Sequence, residues 1–498
     1  MNIPSILKFR GLAYLLVWLT ATPAIAQFTR GMHYAVEANA SFSGGTYTPF
    51  WFNAGRYGLS STQKNNGYLR AALFRPYDEE KHFSYRFGLD LAGAYRSPSA
   101  FVVQQAYVDL RYRWFELSIG SKEREMELKN PQLSSGGMTF SHNARPIPQV
   151  RIGLPDYVAL DRKGYVSIKG HVAYGLFTDD RWQEDFIAQP TYKHTRHVLY
   201  HSKALYAKFG NEQRFPLVFE GGLEMATQFG GRAYGLAGYD PYLDIPNGVK
   251  DFFKAFIPSG SDATDGQYAN VAGNHLGSWL FSLSYKFPRW KVRAYYDHFF
   301  EDHSMMFGQY GWKDCLAGLE ITLPKNPAVA TVVYEYVGTK DQSGAIYHDH
   351  TADIPDQISA RDNYYNHNIF TGWQHWGFGI GNAFLTSPAY NKDGTLIFRN
   401  NRVQAHHVGI SGHPHRDIDY RMMLSHSANY GTYSNPYVDV EKCTSLLLEV
   451  RYTPARLNGW SLTGAFGMDH GTLLGNNYGG QLSVKKTGLL TRLSTRKK

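Results

Sequence analysis

The sequence predicts an all-β protein, a transmembrane antiparallel β-barrel of about 16–18 strands that is occluded by loops or by a plug segment. Three observations support this fold class. Apolar and polar residues alternate in short segments along the whole chain, a secretory signal opens it, and no apolar run is long enough to form a membrane-spanning helix.

The alternation has a period of two residues. In the segment 84–96, Phe87 and Leu89 fall on one face, whereas Arg86 and Asp90 fall on the other. Because successive side chains of a strand point to opposite sides, such a segment separates an apolar surface from a polar one. A barrel wall needs this separation, since one face contacts lipid and the other faces the lumen.

Further strands follow the same pattern. They are predicted at 33–42, 106–119, 166–176, 217–229, 276–287, 290–300 and 478–487. Within 106–119 the apolar phase flips at Trp114 and Phe115, which predicts a tight turn or a bulge there. Short and long connections alternate in the C-terminal half, as in a barrel wall. The alternation fails between 383 and 401, so one further strand is expected in that interval.

The N-terminus predicts a cleaved signal peptide over residues 1–26. Lys8 and Arg10 form a basic region, and the apolar stretch 12–19 is shorter than the ~20 residues that a transmembrane helix needs. Ala24 and Ala26 form an A-x-A cleavage motif, which places cleavage after Ala26. Residues 27–498 are then the outer-membrane β-barrel, and the predicted location is the outer membrane.

Composition fits a barrel. The mean hydropathy is −0.39, aromatic residues make up 15%, and there are 36 tyrosines, which suits polar-lined strands with aromatic girdles. The net charge of +9 falls to about +7 once Lys8 and Arg10 are removed (+9 − 2). This excess suits an anionic partner such as lipopolysaccharide or an acidic polysaccharide, although solubility charge explains it equally well. Nucleic-acid binding is not predicted, because the only dense basic run is the tail 496–498.

The two cysteines, Cys315 and Cys443, lie far apart in the sequence. A disulfide is possible in an oxidising periplasm, but buried or strand-facing thiols are favoured.

The segment 129–157 is the candidate plug of the lumen. It contains four prolines and the pair Gly136 and Gly137, and it resists any interpretation as a strand. A long surface loop is the alternative.

No catalytic chemistry is predicted. Histidines lie beside acidic residues at 297–298, 301–303 and 348–350, but a histidine pair in a polar loop is weak support for a metal site. Motifs for a serine nucleophile, a zinc protease or a phosphate loop are missing from the sequence. We therefore expect neither a cofactor nor a metal, and the protein is not expected to be an enzyme.

A polar binding surface is the better hypothesis. Sugars bind to flat aromatic faces together with planar hydrogen-bonding groups, and the loop 341–368 is rich in both. The predicted ligand-binding residues are Arg361, Asp362, Tyr364 and Tyr365. Ordinary packing of the loop is the alternative.

Several sequence blocks resemble the capsule-assembly Wzi family of outer-membrane proteins. They lie at 120–123, 127–131, 134–138, 144–155, 200–203, 220–224, 310–314, 338–341 and 350–364. The resemblance implies an 18-stranded barrel occluded by loops and periplasmic helices. It also implies a lectin-like, non-catalytic role in attaching capsular or exopolysaccharide to the cell surface.

The sequence therefore predicts a monomeric outer-membrane barrel that binds surface polysaccharide. The first alternative is a porin-like diffusion channel. The second is an outer-membrane enzyme that modifies lipid or glycan.

Overall fold

The computed structural model describes residues 31–257, 273–301, 306, 312–348 and 357–490, with side chains of 343–348 and 357–361 outside the description. The predicted signal peptide 1–26 lies outside the described residues. No helix of the described chain is long and apolar enough to cross a membrane.

Eighteen antiparallel strands form one sheet that closes on itself. The wall strands are β1 (His33–Gly44), β2 (Asn66–Arg75), β3 (Phe83–Tyr95), β4 (Phe101–Tyr112), β5 (Phe115–Ser121), β6 (Gln149–Ala159), β7 (Val166–Leu176), β8 (Leu199–Phe209), β9 (Leu217–Phe229), β10 (Asn274–Lys286), β11 (Lys291–Glu301), β12 (Cys315–Thr322), β13 (Thr331–Gly338), β14 (Val403–His415), β15 (Ile418–Gly431), β16 (Pro436–Tyr452), β17 (Trp460–Gly471) and β18 (Asn477–Leu489). β1 pairs with β2 on one side and with β18 on the other. In the pairing with β18, Ala38 lies opposite Val484. The closed barrel leaves no free sheet edge, and the predicted fold class is confirmed.

The period of two sets the two faces of the wall. On β1, Val36 and Phe42 are 51% and 67% exposed, whereas Ser41 between them is 1% exposed. On β18, Leu482 is exposed and Asn477 is buried. The apolar side chains therefore form the outer surface, which suits contact with lipid, and polar side chains face the lumen.

Most predicted strands occur where the alternation placed them. The predicted segments 166–176 and 217–229 coincide with β7 and β9. The segment 106–119 divides into β4 and β5, joined by a turn at 113–114 where the apolar phase flips. Arg113 in that turn has a φ of 57°, the left-handed backbone of a tight reversal.

The connections differ at the two ends of the barrel. Eight short connections lie at one end, at 76–82, 113–114, 160–165, 210–216, 287–290, 323–330, 416–417 and 453–459. β1 begins and β18 ends at this same end, since His33 pairs with Leu489. Short turns face the periplasm in bacterial barrels, so we name this the inner end and the opposite one the outer end.

The additional strand predicted between 383 and 401 is wrong. β13 pairs directly with β14, with Gly338 opposite Gln404, so no wall strand lies between them. The connection 339–402 leaves and returns at the outer end, and 383–401 holds only a 3-10 helix, Pro388–Tyr390. Its residues pack inside the barrel instead of crossing the membrane.

Short elements lie in the outer-end connections. They are α1 (Phe50–Asn53), α2 (Asp180–Phe186), α3 (Val249–Phe256), a three-stranded sheet (His194–Arg196, Gly231–Tyr234, Leu243–Ile245), a hairpin (Ser343–His348, Gln357–Arg361) and a two-residue pairing (Gln374–His375, Phe378–Gly379). Aromatic residues from these connections, including Trp51, Trp373 and Phe398, pack with wall residues into one hydrophobic core. This core lies within the lumen.

The candidate plug segment 129–157 has two parts. Residues 149–157 belong to β6, whereas 129–148 form no regular structure. The irregular part begins beside β5, yet its contacts lie on β11, β13 and β14: Lys129 pairs with Asp297, the Ser135 N–H donates to Glu335, and His407 bonds to the Leu133 carbonyl. A segment that starts at β5 reaches those strands only by crossing the lumen. We call residues 122–148 the interior segment.

Cys315 and Cys443 are both buried and both carry free thiols. The expectation of buried thiols is confirmed, and the Cys443 Sγ lies 3.6 Å from the Ser445 Oγ.

Candidate binding cleft at the outer end

A cleft of about 320 Å³ opens among three outer-end connections. We call it the outer cleft. Its lining residues are Lys193, Asn363, Asn366, His367, Asn368, Ile397, Phe398, Arg399, Thr432, Ser434 and Asn435. Amide and cationic side chains dominate this lining, and it contains neither aspartate nor glutamate.

A turn at 363–366 shapes one wall of the cleft. The Asn366 N–H donates to the Asn363 carbonyl at 2.8 Å, and the Asn366 amide makes two bonds to the backbone of Phe398, at 2.8 and 2.9 Å. The Asn363 Oδ1 accepts from Asn366 and from Asn401. Asn363 is exposed, and its Nδ2 has no partner among the described residues, so this amide nitrogen can donate to a ligand.

His367 presents one defined ring nitrogen to the cleft. Its Nδ1 accepts the backbone N–H groups of Ile369 and Phe370, at 3.1 and 3.3 Å, so the proton of the neutral ring lies on Nε2. Burial, and secondarily the cation of Lys193, lowers the pKa of His367 to about 3. The ring is therefore a neutral donor at physiological pH.

Two cations border the cleft. The Lys193 Nζ donates to the His367 carbonyl, and burial lowers the pKa of Lys193 to about 8, so the ammonium remains mostly charged at neutral pH. Arg399 forms an ion pair with Asp393 and keeps 44% of its side chain exposed. Ile397 adds an exposed aliphatic surface between these polar groups.

The short connection 432–435 closes the far wall. The Thr432 Oγ1 accepts the Asn435 N–H at 2.9 Å and lies 3.2 Å from the Ser434 Oγ. Ser434 and Asn435 are exposed. Asn435 and Asn368 thus place two further amides at the rim.

The four predicted ligand-binding residues lie in different environments. Tyr364 and Tyr365 are both 0% exposed and have internal partners. Asp362 is half-buried next to Asn363 of the cleft, and its N–H donates to the Gln342 carbonyl. The side chain of Arg361 lies outside the described residues. Direct contact of these four residues with a glycan stays a prediction.

The two tyrosines anchor the segment that carries the cleft amides. The Tyr364 hydroxyl donates to the Asp314 Oδ2 at 2.9 Å. The Tyr365 N–H donates to Glu301, and its hydroxyl donates to the Met138 carbonyl of the interior segment while accepting the Asn382 N–H at 2.9 Å. The outer cleft is therefore tied both to the wall and to the interior segment.

Sequence reasoning found part of this lining. Asn363 and Asn366 belong to the polar loop 341–368 that the composition singled out. Lys193, Ile397–Arg399 and 432–435 were missed, because they come from connections that are distant in sequence and show no periodic pattern. The structure also shows mainly amide side chains where flat aromatic faces were expected.

The described residues contain no group of three or more metal-ligating side chains. Two of the histidine clusters considered for metal binding, 301–303 and 348–350, lie partly outside the described residues.

The family model described as "Capsule assembly protein Wzi" matches residues 52–384. No curated protein sequence matches the chain.

Solved structures share the barrel architecture. The structure of Wzi from Escherichia coli, described as an outer membrane protein involved in group 1 capsule assembly and as a carbohydrate-binding β-barrel, is 12% identical with a TM-score of 0.57, and the match covers 93% of this chain and 86% of that one. Pseudomonas aeruginosa OccK3 (OpdO) is 10% identical with a TM-score of 0.46, covering 94% and 98%. Pseudomonas aeruginosa OprD is 8% identical with a TM-score of 0.45, covering 93% and 96%. At these identities the likeness concerns the fold alone.

Proposed function

The chain belongs to the Wzi family of capsule assembly proteins, and we propose that it binds capsular or exopolysaccharide in the outer cleft and thereby attaches the polymer to the cell surface. It is an outer-membrane β-barrel. Binding without chemical change of the polymer, as by a lectin, is part of the proposal.

The observation that carries the proposal is the outer cleft itself. Donor groups of Asn363, Asn368 and Asn435 surround a cavity of about 320 Å³ with Lys193 and Arg399 at its border. Amides and guanidinium groups are planar hydrogen-bonding partners that match sugar hydroxyls and carboxylates. The cleft lies at the end that faces outward, where surface polymer is found.

The lining of the outer cleft supports a binding role over catalysis. Hydrolysis of a glycosidic bond ordinarily uses a pair of carboxylates, and none of the residues lining the outer cleft is acidic. An enzyme that modifies lipid or glycan remains the second alternative, and turnover of a labelled glycan would favour it.

The hydrophobic core inside the lumen supports attachment over diffusion. Trp373, Phe370 and Phe384 from the outer-end connections pack against wall residues such as Phe299 and Leu316 in this core. Close-packed apolar side chains disfavour a water-filled path through the layer that they occupy. The porin-like alternative predicts steady single-channel conductance in a planar bilayer, which we do not expect.

Lipopolysaccharide is a further proposed partner, because the barrel must lie among these lipids and the chain carries a basic excess. A monomeric state is part of the same proposal, and the mass of the protein in detergent would test it.

The test is the partition of surface polysaccharide between cells and medium. A strain lacking the gene should still make the polymer but release it into the medium. Complementation with the wild-type gene should restore attachment, whereas the triple variant Asn363→Ala, Asn368→Ala, Asn435→Ala should not. The control is Asn458→Ala, an exposed asparagine in an inner-end turn. Unchanged partition in the deletion strain would contradict the proposal.

A further inference from the structure

A second cavity, of about 530 Å³, lies in the lumen. We call it the inner cavity. The interior segment forms its roof, and β3 and β5–β9 form its wall. Pro155 and Asp156, which line it near the inner end of β6, are exposed, so the cavity reaches toward the periplasmic side.

Small side chains make room for this cavity. Ser118, Arg151, Ala173 and Ser202 lie opposite one another in consecutive strands, from β5 to β8. Arg151 points into the lumen, because its neighbours Val150 and Ile152 are exposed on the outer surface. The long cationic side chain of Arg151 therefore lies between Ser118 on one side and Ala173 and Ser202 on the other.

Three of the six acidic side chains that line the cavity have cationic partners. Glu116 pairs with Arg86, Glu123 with Arg70 and Glu127 with Lys169. Asp109 of β4, whose side chain also faces the lumen, pairs with both Arg86 and Lys122. Glu224 accepts the Tyr206 hydroxyl at 2.8 Å, and Glu125 and Asp156 are exposed at the rim.

Three arginines that line the cavity form no ion pair with any carboxylate of the described residues: Arg124, Arg145 and Arg151. Arg145 is the most confined, at 5% exposure. Within the described part of the chain, its Nε and Nη2 have no hydrogen-bond partner, and its guanidinium stacks on Trp376 at 4.1 Å. A buried cation without a counter-ion is costly, so these groups favour an anion beside them.

The other two arginines converge on one point of the wall. The Arg124 Nη2 donates to the Ser118 Oγ at 3.0 Å, and Ser118 is the cross-strand neighbour of Arg151. Directly paired residues hold their Cβ atoms about 5 Å apart, so the two guanidinium groups share one side of the cavity. Burial, with the nearby Arg151 as a second cause, lowers the pKa of Arg124 to about 9, as expected for like charges without a partner.

We propose that the inner cavity binds the anionic group of a saccharide, a carboxylate or a phosphate, on Arg124 and Arg151. Paired guanidinium groups bind such oxyanions through parallel hydrogen bonds. Tyr200, Ser202 and His171 line the same space and supply neutral partners for sugar hydroxyls. The proposal rests on the proposed function only in taking a saccharide as the ligand, and it adds a site inside the lumen that is separate from the outer cleft.

Three small probes test the site on the full-length barrel in detergent. Trigalacturonate carries carboxylates, glucose 1-phosphate carries a phosphate, and maltotriose is neutral. Calorimetry should show binding of trigalacturonate, of glucose 1-phosphate or of both, and which one binds identifies the anion. Maltotriose should bind at least roughly tenfold more weakly.

Variants locate the bound probe. The double variant Arg124→Gln, Arg151→Gln should bind the anionic probes roughly tenfold or more weakly. Ser118→Asp keeps every arginine but supplies an internal carboxylate to both, so it should also lose binding. Arg416→Gln, an exposed arginine in an inner-end turn, is the matched control and should bind normally. Heat-dependent migration in gels confirms that each variant is folded.

Three results would overturn the proposal. The first is binding of the anionic probes at wild-type strength by folded forms of both the double arginine variant and Ser118→Asp. The second is no binding of either anionic probe to the wild-type protein. The third is loss of probe binding in the triple asparagine variant of the outer cleft with retention in the double arginine variant. This third result would place the anion in the outer cleft and leave the proposed function intact.

Discussion

The Nζ of Lys129 lies 2.7 Å from the Oδ2 of Asp297, and the two side chains are 2% and 0% exposed. The pair joins the interior segment to β11, and the same Oδ2 accepts the Met138 N–H at 3.0 Å. One carboxylate of the wall thus fixes two points of the segment that crosses the lumen.

Lys129→Met should destabilise the folded barrel by about 3–5 kcal/mol, because it leaves the Asp297 carboxylate buried without its cation. Thermal unfolding in detergent, followed by heat-dependent gel migration, measures the change. Lys485→Met is the control, since Lys485 is 42% exposed and lies 3.7 Å from Glu37. That exposed pair should contribute only about 0–1 kcal/mol. Equal effects of the two substitutions would contradict the assigned role of Lys129.

Gly381→Ala should destabilise the contact between the long connection 339–402 and the interior segment. A Cβ at Gly381 would lie 2.0 Å from the Tyr365 hydroxyl and 2.1 Å from the Met138 carbonyl oxygen. Since the Met138 backbone cannot move freely, the expected cost is about 1–3 kcal/mol. Gly464→Ala, where a Cβ would meet no atom within 4 Å, should be nearly neutral. An unchanged unfolding temperature for Gly381→Ala would show that this packing is loose.

Tyr364→Phe should weaken polysaccharide binding while the barrel wall stays folded. The substitution leaves the buried Asp314 Oδ2 without its donor at a cost of about 1–3 kcal/mol, and it loosens the segment that carries Asn363 and Asn368. Binding of purified polymer to the barrel measures the effect. Tyr420→Phe, which removes a hydroxyl bonded to the Ala328 carbonyl near the inner end, should bind normally. If both variants bind alike, the anchoring role of Tyr364 is wrong.

Asp314 should make stability depend on pH between about 4 and 6. Burial raises the pKa of this carboxyl from 3.8 to about 6, so the folded state holds a proton that the unfolded state has released. Its contribution is therefore fully present below about pH 4 and is lost as the pH rises through 6. Asp314→Asn should flatten the unfolding temperature over this interval. A wild-type profile that is already flat in this range would contradict the raised pKa.

The sequence predicts the wall far better than the lumen. The alternation at 166–176 and 217–229 coincides with β7 and β9. In a strand, the polarity of each residue indicates which side of the sheet its side chain faces. The phase flip at Trp114 and Phe115 marked the turn between β4 and β5 for the same reason. The strand expected between 383 and 401 failed, since turn lengths alone do not show whether a long connection crosses the membrane or folds inward.

The predicted binding residues show the same limit of prediction from sequence. Loop composition pointed to the right connection and to the neighbourhood of Asn363. It could not tell that Tyr364 and Tyr365 turn inward to Asp314 and Met138. Their burial depends on Phe299 of β11 and Gly381 of the connection, which lie far from them in the sequence.

The sequence by itself determined the barrel, the approximate number of strands and the family, because period-two patterning and family blocks are local properties. Only the tertiary structure decided which side chains line the two cavities. Lys193, Asn363, Arg399 and Asn435 meet in the outer cleft because closure of an 18-stranded wall brings distant connections to one end. The pairing of Ser118 with Arg151 likewise follows from strand register, which no single segment encodes.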